Sequence, residues 1–204
     1  MPAGLRARGA RTAAAAVVGV AALTLGACSS GANTVAAQAK AGDGKGYVAG
    51  DGTVEQIAAA DRDVTLSVKG KTLTGQPIDS AGYRGKVVVI NTWGSWCPPC
   101  NAEAADLQKT WAGFKGQDVQ FVGVDLREGP ASGLAFQRKY GLTYPSIAWD
   151  GGSVLLQLKG KASATPSTLV LDRKGRLAAR VLGEAQGSTL HDMIKAVLAE
   201  SGGA

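Results

Sequence analysis

Two cysteines, Cys97 and Cys100, lie between a segment that predicts a buried strand and a segment that predicts a helix. Residues 86–92 are mostly valine and isoleucine, which is typical of a strand covered on both faces. From Cys100 onward the apolar residues recur at helical spacing, which predicts a helix over residues 101–115. The pair therefore lies at a helix N-terminus, where free N–H groups and the helix dipole stabilise a thiolate. A Cys-x-x-Cys sequence in this setting indicates a redox-active pair.

Half of a zinc site and an inert disulfide are the alternatives for this pair. Zinc in proteins takes about four ligands, and the single histidine, His191, falls in the last predicted helix with no cysteine near it. His191 is therefore expected to be a surface or packing residue. The redox interpretation is favoured, and the sequence indicates no metal and no cofactor.

The first 27 residues have the pattern of a signal peptide. Residues 1–11 carry three arginines and no acid, and residues 12–25 are apolar but too short for a comfortable membrane span. The Leu-Gly-Ala-Cys sequence that ends at Cys28 resembles the lipobox of bacterial lipoproteins. The resemblance implies cleavage before Cys28, a lipid on that cysteine, and an extracytoplasmic protein anchored to the cell membrane. An ordinary secretory signal cut near Ala27 is the alternative.

The rest of the chain divides into a tether and one domain. Residues 28–46 are rich in small and polar residues without periodicity, which predicts a flexible tether, and residues 47–204 are long enough for one folded domain. With Cys28 lipidated, only the Cys-x-x-Cys pair remains, so a disulfide framework is excluded. The formal charge of +6 falls to +3 without the three signal arginines, and no cluster of basic residues indicates a nucleic-acid partner.

Apolar runs predict an α/β domain with the order β-β-α-β-α-β-β-α around a central mixed sheet. Its βαβ part is expected to be parallel and right-handed, and its last two strands should form an antiparallel hairpin. Residues 153–158 fit either a helix or a strand, and a turn is expected at residues 69–70. Residues 72–78 are predicted to form a short strand and a turn. The other predicted strands cover residues 64–68, 86–92, 119–126, 146–149, 168–171 and 177–182, and the predicted helices cover residues 101–115, 134–140 and 189–199.

Three motifs follow one another in an order that resembles the thioredoxin superfamily. They are RGKVVVINTWGSWCPPC at residues 84–100, GLTYP at residues 141–145 and TPSTLVLDRKG at residues 165–175. Within the superfamily, the chain resembles the membrane-anchored TlpA/ResA-type thiol–disulfide oxidoreductases from about residue 64 to residue 198. The resemblance implies a thioredoxin fold with flanking helices, an N-terminal β extension and an inserted βα segment before Pro166.

The position of each cysteine in the helix predicts its role. Cys97, at the N-cap, should expose its sulfur and act as the nucleophile, whereas Cys100, on the apolar stripe, should be buried and resolve the mixed disulfide. Pro98 and Pro99 occupy the first helical positions, where a missing N–H group is tolerated. They also remove donors that would stabilise the Cys97 thiolate, which argues against the very low thiol pKa of a strong oxidant.

The resemblance also implies a proton carrier. Thioredoxin has a buried acid on the strand before its cysteine motif, and here that position is Asn91. Glu103 matches an active-site glutamate of the ResA type, and we predict that it accepts the Cys100 proton. The alternative is an ordinary first-turn acid that the helix dipole favours.

Substrate contacts are expected at Trp96, Pro98, Thr165 and Pro166. Pro166 has the position of the superfamily's cis-proline, which would set the Thr165 backbone beside the cysteines to pair with an extended substrate. A trans turn proline is the alternative. Trp96 is expected to shield the thiols, whereas Trp93 either flanks the site or packs in the core.

Three functions are compatible with these residues. The resemblance favours an enzyme that reduces disulfides in exported proteins, including the Cys-x-x-Cys-His disulfide of apocytochrome c, and that receives electrons from a membrane thiol donor. A disulfide-forming oxidant or isomerase of the same fold is the second. A non-catalytic lipoprotein that binds a partner through its tryptophans is the third, and the intact cysteine pair argues against it.

Overall fold

The structure is a computed structural model, and it describes residues 49–200. The expected signal peptide at residues 1–27, the lipidation of Cys28 and the tether at residues 28–46 lie outside the described residues. Within the described part, no helix combines the length and the apolar composition that crossing a bilayer requires.

A six-stranded mixed sheet forms the centre of the domain, in the order β1-β8-β7-β4-β5-β6. Strands β4, β5 and β6 are parallel, whereas β7 runs antiparallel to β4, β8 runs antiparallel to β7, and β1 runs antiparallel to β8. The strands are β1 Thr53–Gln56, β2 Lys69–Lys71, β3 Pro77–Asp79, β4 Val87–Trp93, β5 Val119–Asp125, β6 Ser146–Ile147, β7 Ser167–Leu171 and β8 Leu177–Leu182. The helices are α1 Pro98–Gly113, α2 Pro130–Tyr140, α3 Ser153–Gln157 and α4 Gly187–Ala199.

Strand β4 lies in the middle of the sheet, and all seven of its residues are buried. This burial follows from its sequence, because alternate valines and isoleucines can pack on both faces at once. Val87 and Val89 face the cluster that α1 and α4 cover, while Val88 and Ile90 face a second cluster that includes residues of α3. The predicted α/β thioredoxin-like fold, with a central mixed sheet flanked by helices, is confirmed.

The segment before the main sheet differs from the prediction. Residues 64–68 form no strand, apart from one isolated bridge from Thr65 to Arg176, and the residues expected to turn form β2, which pairs with β3. Leu66 and Val68 are buried because the segment lies against the core. The segment also exchanges hydrogen bonds with Gly175 and Leu177, so it lies beside the start of β8 but pairs too briefly to form a strand.

Two further elements were missed or left open. Strand β1 was not predicted, because its residues are exposed or half-exposed and carry no alternation. The ambiguous residues 153–158 contain a helix, α3, and the Asp150 carboxylate accepts the N–H groups of Gly152 and Val154 where that helix begins.

Candidate active site

A disulfide joins Cys97, which lies between β4 and α1, to Cys100 in the first turn of α1. Cys97 is the N-cap of α1, and its Sγ accepts the N–H of Cys100 at 3.3 Å. Pro98 and Pro99 fill the two positions between them and offer no N–H group. The pair is thus placed at a helix N-terminus, as the sequence predicts, with a single backbone donor from the first turn.

The expected exposure of the Cys97 sulfur is wrong for the disulfide form. Cys97 is 0% exposed and Cys100 is 1% exposed, and both belong to one core cluster. The bond to Cys100 explains this burial, because it draws the Cys97 sulfur toward the interior face of α1. An attacking thiolate can therefore reach Cys97 only after a local movement.

The segment that leads into Cys97 is held in place by side-chain hydrogen bonds. The Ser95 N–H donates to Glu128 Oε1 at 2.6 Å, and the Ser95 hydroxyl donates to Glu128 Oε2. The Trp96 indole N–H donates to the Leu126 carbonyl at 2.7 Å. The Asn101 side chain donates to the carbonyls of Ser95 and Cys97 at 3.1 and 2.9 Å.

The two tryptophans occupy different environments. Trp93 is fully buried and stacks on Phe136, with 4.6 Å between ring centroids, so it packs in the core. Trp96 is half-buried, packs against both core clusters and lies so close to Gly94 that a Cβ there would be 2.5 Å from its Nε1. The shielding role of Trp96 stays a prediction.

Glu103 is buried one turn after Cys100. Its Oε1 accepts the Asn91 amide N–H at 2.8 Å, and its Oε2 accepts the backbone N–H of Ala185 at 2.7 Å. Burial raises the pKa of Glu103 to about 8, although these two hydrogen bonds work against the shift. The carboxyl can therefore change its protonation near neutral pH, which the predicted proton carrier requires.

Asn91, the residue in place of the thioredoxin acid, orients this glutamate. Its side chain also donates to Thr168 Oγ1 at 3.1 Å, so it links β4, β7 and α1. Tyr144 is fully buried nearby, and burial, followed by the charge of Glu103, raises the pKa of its hydroxyl. That hydroxyl has no hydrogen-bond partner among the described residues.

The Thr165–Pro166 peptide bond is cis, as the position of Pro166 predicts. It immediately precedes β7, whose Ser167 lies opposite Thr92 at the end of β4. The Pro166 carbonyl accepts the N–H of Gly183 at 2.9 Å. The cis-proline and the cysteines thus belong to the same end of the sheet, while substrate pairing by Thr165 stays a prediction.

Two acidic residues of this region escaped the sequence interpretation. Asp125, the last residue of β5, is 0% exposed, and Glu128 follows it in the loop before α2. Burial and then the neighbouring Glu128 raise the pKa of Asp125 to about 9. An acid at the end of a continuous apolar strand, beside the strand that carries the cysteine motif, was the signal that could have identified it.

Comparison with known proteins finds a matching family and similar sequences. A profile of the AhpC/TSA family matches residues 62–180. The thiol-disulfide oxidoreductase ResA of Geobacillus thermodenitrificans is 30% identical over 131 residues, which cover 64% of this chain and 72% of that protein.

Two solved structures show the same likeness in three dimensions. A DsbF homologue from Corynebacterium diphtheriae is 33% identical with a TM-score of 0.65, and the match covers 72% of this chain and 94% of that one. A secreted thiol-disulfide isomerase from Corynebacterium glutamicum is 32% identical with a TM-score of 0.63, and the match covers 74% and 95% of the two chains.

Proposed function

Since the chain belongs to the AhpC/TSA family and is a thioredoxin-like thiol–disulfide oxidoreductase, we propose that it works in the reducing direction. Its proposed substrates are disulfides in exported proteins, with the Cys-x-x-Cys-His disulfide of apocytochrome c among them. Its proposed location is extracytoplasmic, with a lipid on Cys28 as the anchor.

The donor set of Cys97 carries this proposal. A strong oxidant keeps its nucleophilic cysteine as a well-stabilised thiolate. Here the first-turn donor to Cys97 Sγ is the Cys100 N–H, because Pro98 and Pro99 have no N–H group. A thiolate with fewer donors is less stable, so the dithiol gives up its electrons more readily.

In this direction the dithiol passes two electrons to the substrate. The Cys97 thiolate attacks one sulfur of the substrate disulfide, and the other substrate sulfur leaves as a thiolate that takes up a proton. Cys100 then loses its proton, attacks Cys97 Sγ and releases the second substrate sulfur. The pair is left as the disulfide seen in the structure, and a membrane dithiol donor must reduce it again.

Glu103 is the proposed acceptor of the Cys100 proton. It lies one turn along α1 from Cys100, it is 1% exposed, and its pKa of about 8 lets it take and return a proton near neutral pH. Asn91 and Ala185 hold its two oxygens in a fixed orientation.

The reduction potential of the Cys97–Cys100 pair tests the direction. We expect a reduction potential of about −250 mV when the full-length protein is equilibrated with glutathione or dithiothreitol buffers. A potential near roughly −120 mV, typical of a strong oxidase, would contradict the reducing function.

A disulfide-forming or isomerising activity is the second candidate. The observation that favours it is the 32% identity to the C. glutamicum protein, which is described as a secreted thiol-disulfide isomerase. Reactivation of scrambled ribonuclease by a catalytic amount of the protein, reduced beforehand and freed of reductant so that its Cys97 thiolate starts the exchange, would favour this candidate over the first.

Substrates can be captured through the resolving cysteine. A Cys100→Ser variant should accumulate mixed disulfides at Cys97, because the attack that releases the substrate is missing. A Cys97→Ser variant is the matched control and should trap none. Mass spectrometry of the captured proteins, together with the reduction rate of a synthetic Cys-x-x-Cys-His peptide disulfide, tests the apocytochrome c assignment.

A further inference from the structure

The Glu128 carboxylate binds both the backbone and the side chain of Ser95, which lies two residues before Cys97. Glu128 accepts the Ser95 N–H at 2.6 Å with one oxygen and the Ser95 hydroxyl with the other. In the same loop, the Leu126 carbonyl accepts the indole N–H of Trp96 at 2.7 Å. The loop after β5 therefore fixes the short segment that leads into the nucleophile.

We propose that Glu128 is a positioning residue for thiol–disulfide exchange at Cys97, because its two contacts to Ser95 hold the segment that leads into this cysteine. The Cys97 sulfur is buried in the disulfide form, so an attacking thiolate needs the preceding segment to move. That segment is joined to Cys97 directly, and the Cys97 N–H donates to the Gly94 carbonyl at 3.1 Å. The Glu128–Ser95 contact opposes this movement and limits the rate of attack.

This inference rests on the thiol–disulfide exchange of the proposed function, in either direction. Its first test is the rate at which dithiothreitol reduces the oxidised full-length protein at pH 7. One dithiothreitol thiolate attacks Cys97 Sγ, and Cys100 leaves as a thiolate. The second dithiothreitol sulfur then attacks the first, forms the cyclic disulfide of oxidised dithiothreitol and releases the Cys97 thiolate. Two electrons pass from the reagent to the protein. The rate measures access to Cys97, whereas the reduction potential measures the direction of disulfide exchange in the proposed function. Either of the two proposals can therefore fail while the other holds.

Glu128→Ala should raise this rate constant at least about threefold, because both bonds to Ser95 are lost. Glu128→Gln keeps one amide oxygen for Ser95 and should give a smaller increase. Asp192→Ala removes a surface negative charge on α4, away from the loop, and should leave the rate unchanged. Circular dichroism checks the fold. If Glu128→Ala does not fold, Glu128→Gln decides, and a rate equal to that of the unmutated protein overturns the proposal.

A double-mutant comparison tests whether Glu128 acts through Ser95. Glu128→Ala should give a smaller fold-increase in a Ser95→Ala background than in the unmutated background, because part of the contact is already absent. Equal fold-increases in the two backgrounds would overturn this route.

Discussion

At the N-terminus of α1, Pro99 lacks the backbone N–H group that another residue at this position could donate to the Cys97 thiolate. An N-cap side chain accepts hydrogen bonds from the second and third helical residues, which here are Pro99 and Cys100. Pro99→Ala restores the missing donor, so the reduction potential should rise by roughly 30–60 mV, the equivalent of one hydrogen bond to a charged group. Equilibration with glutathione buffers measures the shift.

Pro98→Ala is the matched control for this prediction. It restores an N–H group at the first helical position, which does not serve an N-cap side chain in the usual geometry. A shift as large as that of Pro99→Ala would show that the prolines act through something other than a donor to Cys97.

Glu103 is predicted to set the pH dependence of disulfide exchange. With a pKa of about 8, it becomes an effective base for the Cys100 proton as the pH rises through that value. Glu103→Gln should therefore slow insulin-disulfide reduction and flatten its rise between about pH 7 and pH 9. Asp106→Asn, an exposed acid on the same helix, serves as the control. Unchanged kinetics in Glu103→Gln would leave that residue without a role in proton transfer.

At the scale of elements, β5 approaches its neighbours closely at Gly123. A Cβ there would lie 2.7 Å from Trp93 Nε1 and still closer to Ser146 Oγ on β6. Gly123→Ala should therefore lower the free energy of unfolding by about 1–3 kcal/mol, as overpacking of a core does. Urea denaturation of the oxidised protein measures this loss.

Gly113 provides the comparison for this substitution. It lies in the last turn of α1, and a Cβ there would meet no atom within 4 Å. Gly113→Ala should be neutral or stabilising by up to about 1 kcal/mol, because alanine favours the helix. If both substitutions cost the same, the close approach at Gly123 is not the cause.

Elements with a continuous apolar signal could be predicted from the sequence. Strands β4 and β5 lie within about one residue of their predicted ends, because burial on both faces leaves little choice of side chain. Strand β1 could not be predicted, since an exposed edge strand needs only a partner, which here is β8. The segment at residues 64–68 misled for the opposite reason, since it has buried side chains but pairs with residues 175–177 through a single bridge.

The candidate active site likewise has parts that could be predicted from the sequence and parts that could not. The order of the cysteine pair, Glu103 and Pro166 along the chain indicated the disulfide and the cis bond. The burial of Cys97 could not be foreseen from its N-cap position, because it follows from the bond to Cys100 and the interior face of α1. The Glu128–Ser95 contact was equally hidden, since it joins the loop after β5 to the segment before Cys97, 33 residues apart in the sequence.

At the scale of the whole molecule, Arg62 ties three separate parts of the chain together. It bonds Asp172, after β7, at 3.3 Å and Glu200, after α4, at 2.6 Å. Burial alone would raise the pKa of Asp172, but hydrogen bonds from Arg176 and Arg62 outweigh it and hold the pKa below the usual value of 3.8. This contribution to stability is present above that value and is lost as the pH falls through the lower one.

Two buried acids act in the opposite direction on the stability of the fold. Burial raises the pKa of Glu103 from 4.5 to about 8, and burial and Glu128 raise the pKa of Asp125 from 3.8 to about 9. Their contributions are full below the unfolded values and are lost as the pH rises through the folded ones, by at most about 1.4 kcal/mol per group for each pH unit.

The free energy of unfolding of the oxidised protein should therefore decline between about pH 5 and pH 9. Urea denaturation across this range measures the decline. Glu103→Gln and Asp125→Asn should each reduce its slope, because an amide carries no charge into the interior at any of these pH values. A free energy that stays level or rises from pH 5 to pH 9 would contradict the burial of two titrating acids beside the redox pair. The dithiol would then work without a nearby group whose charge changes at neutral pH.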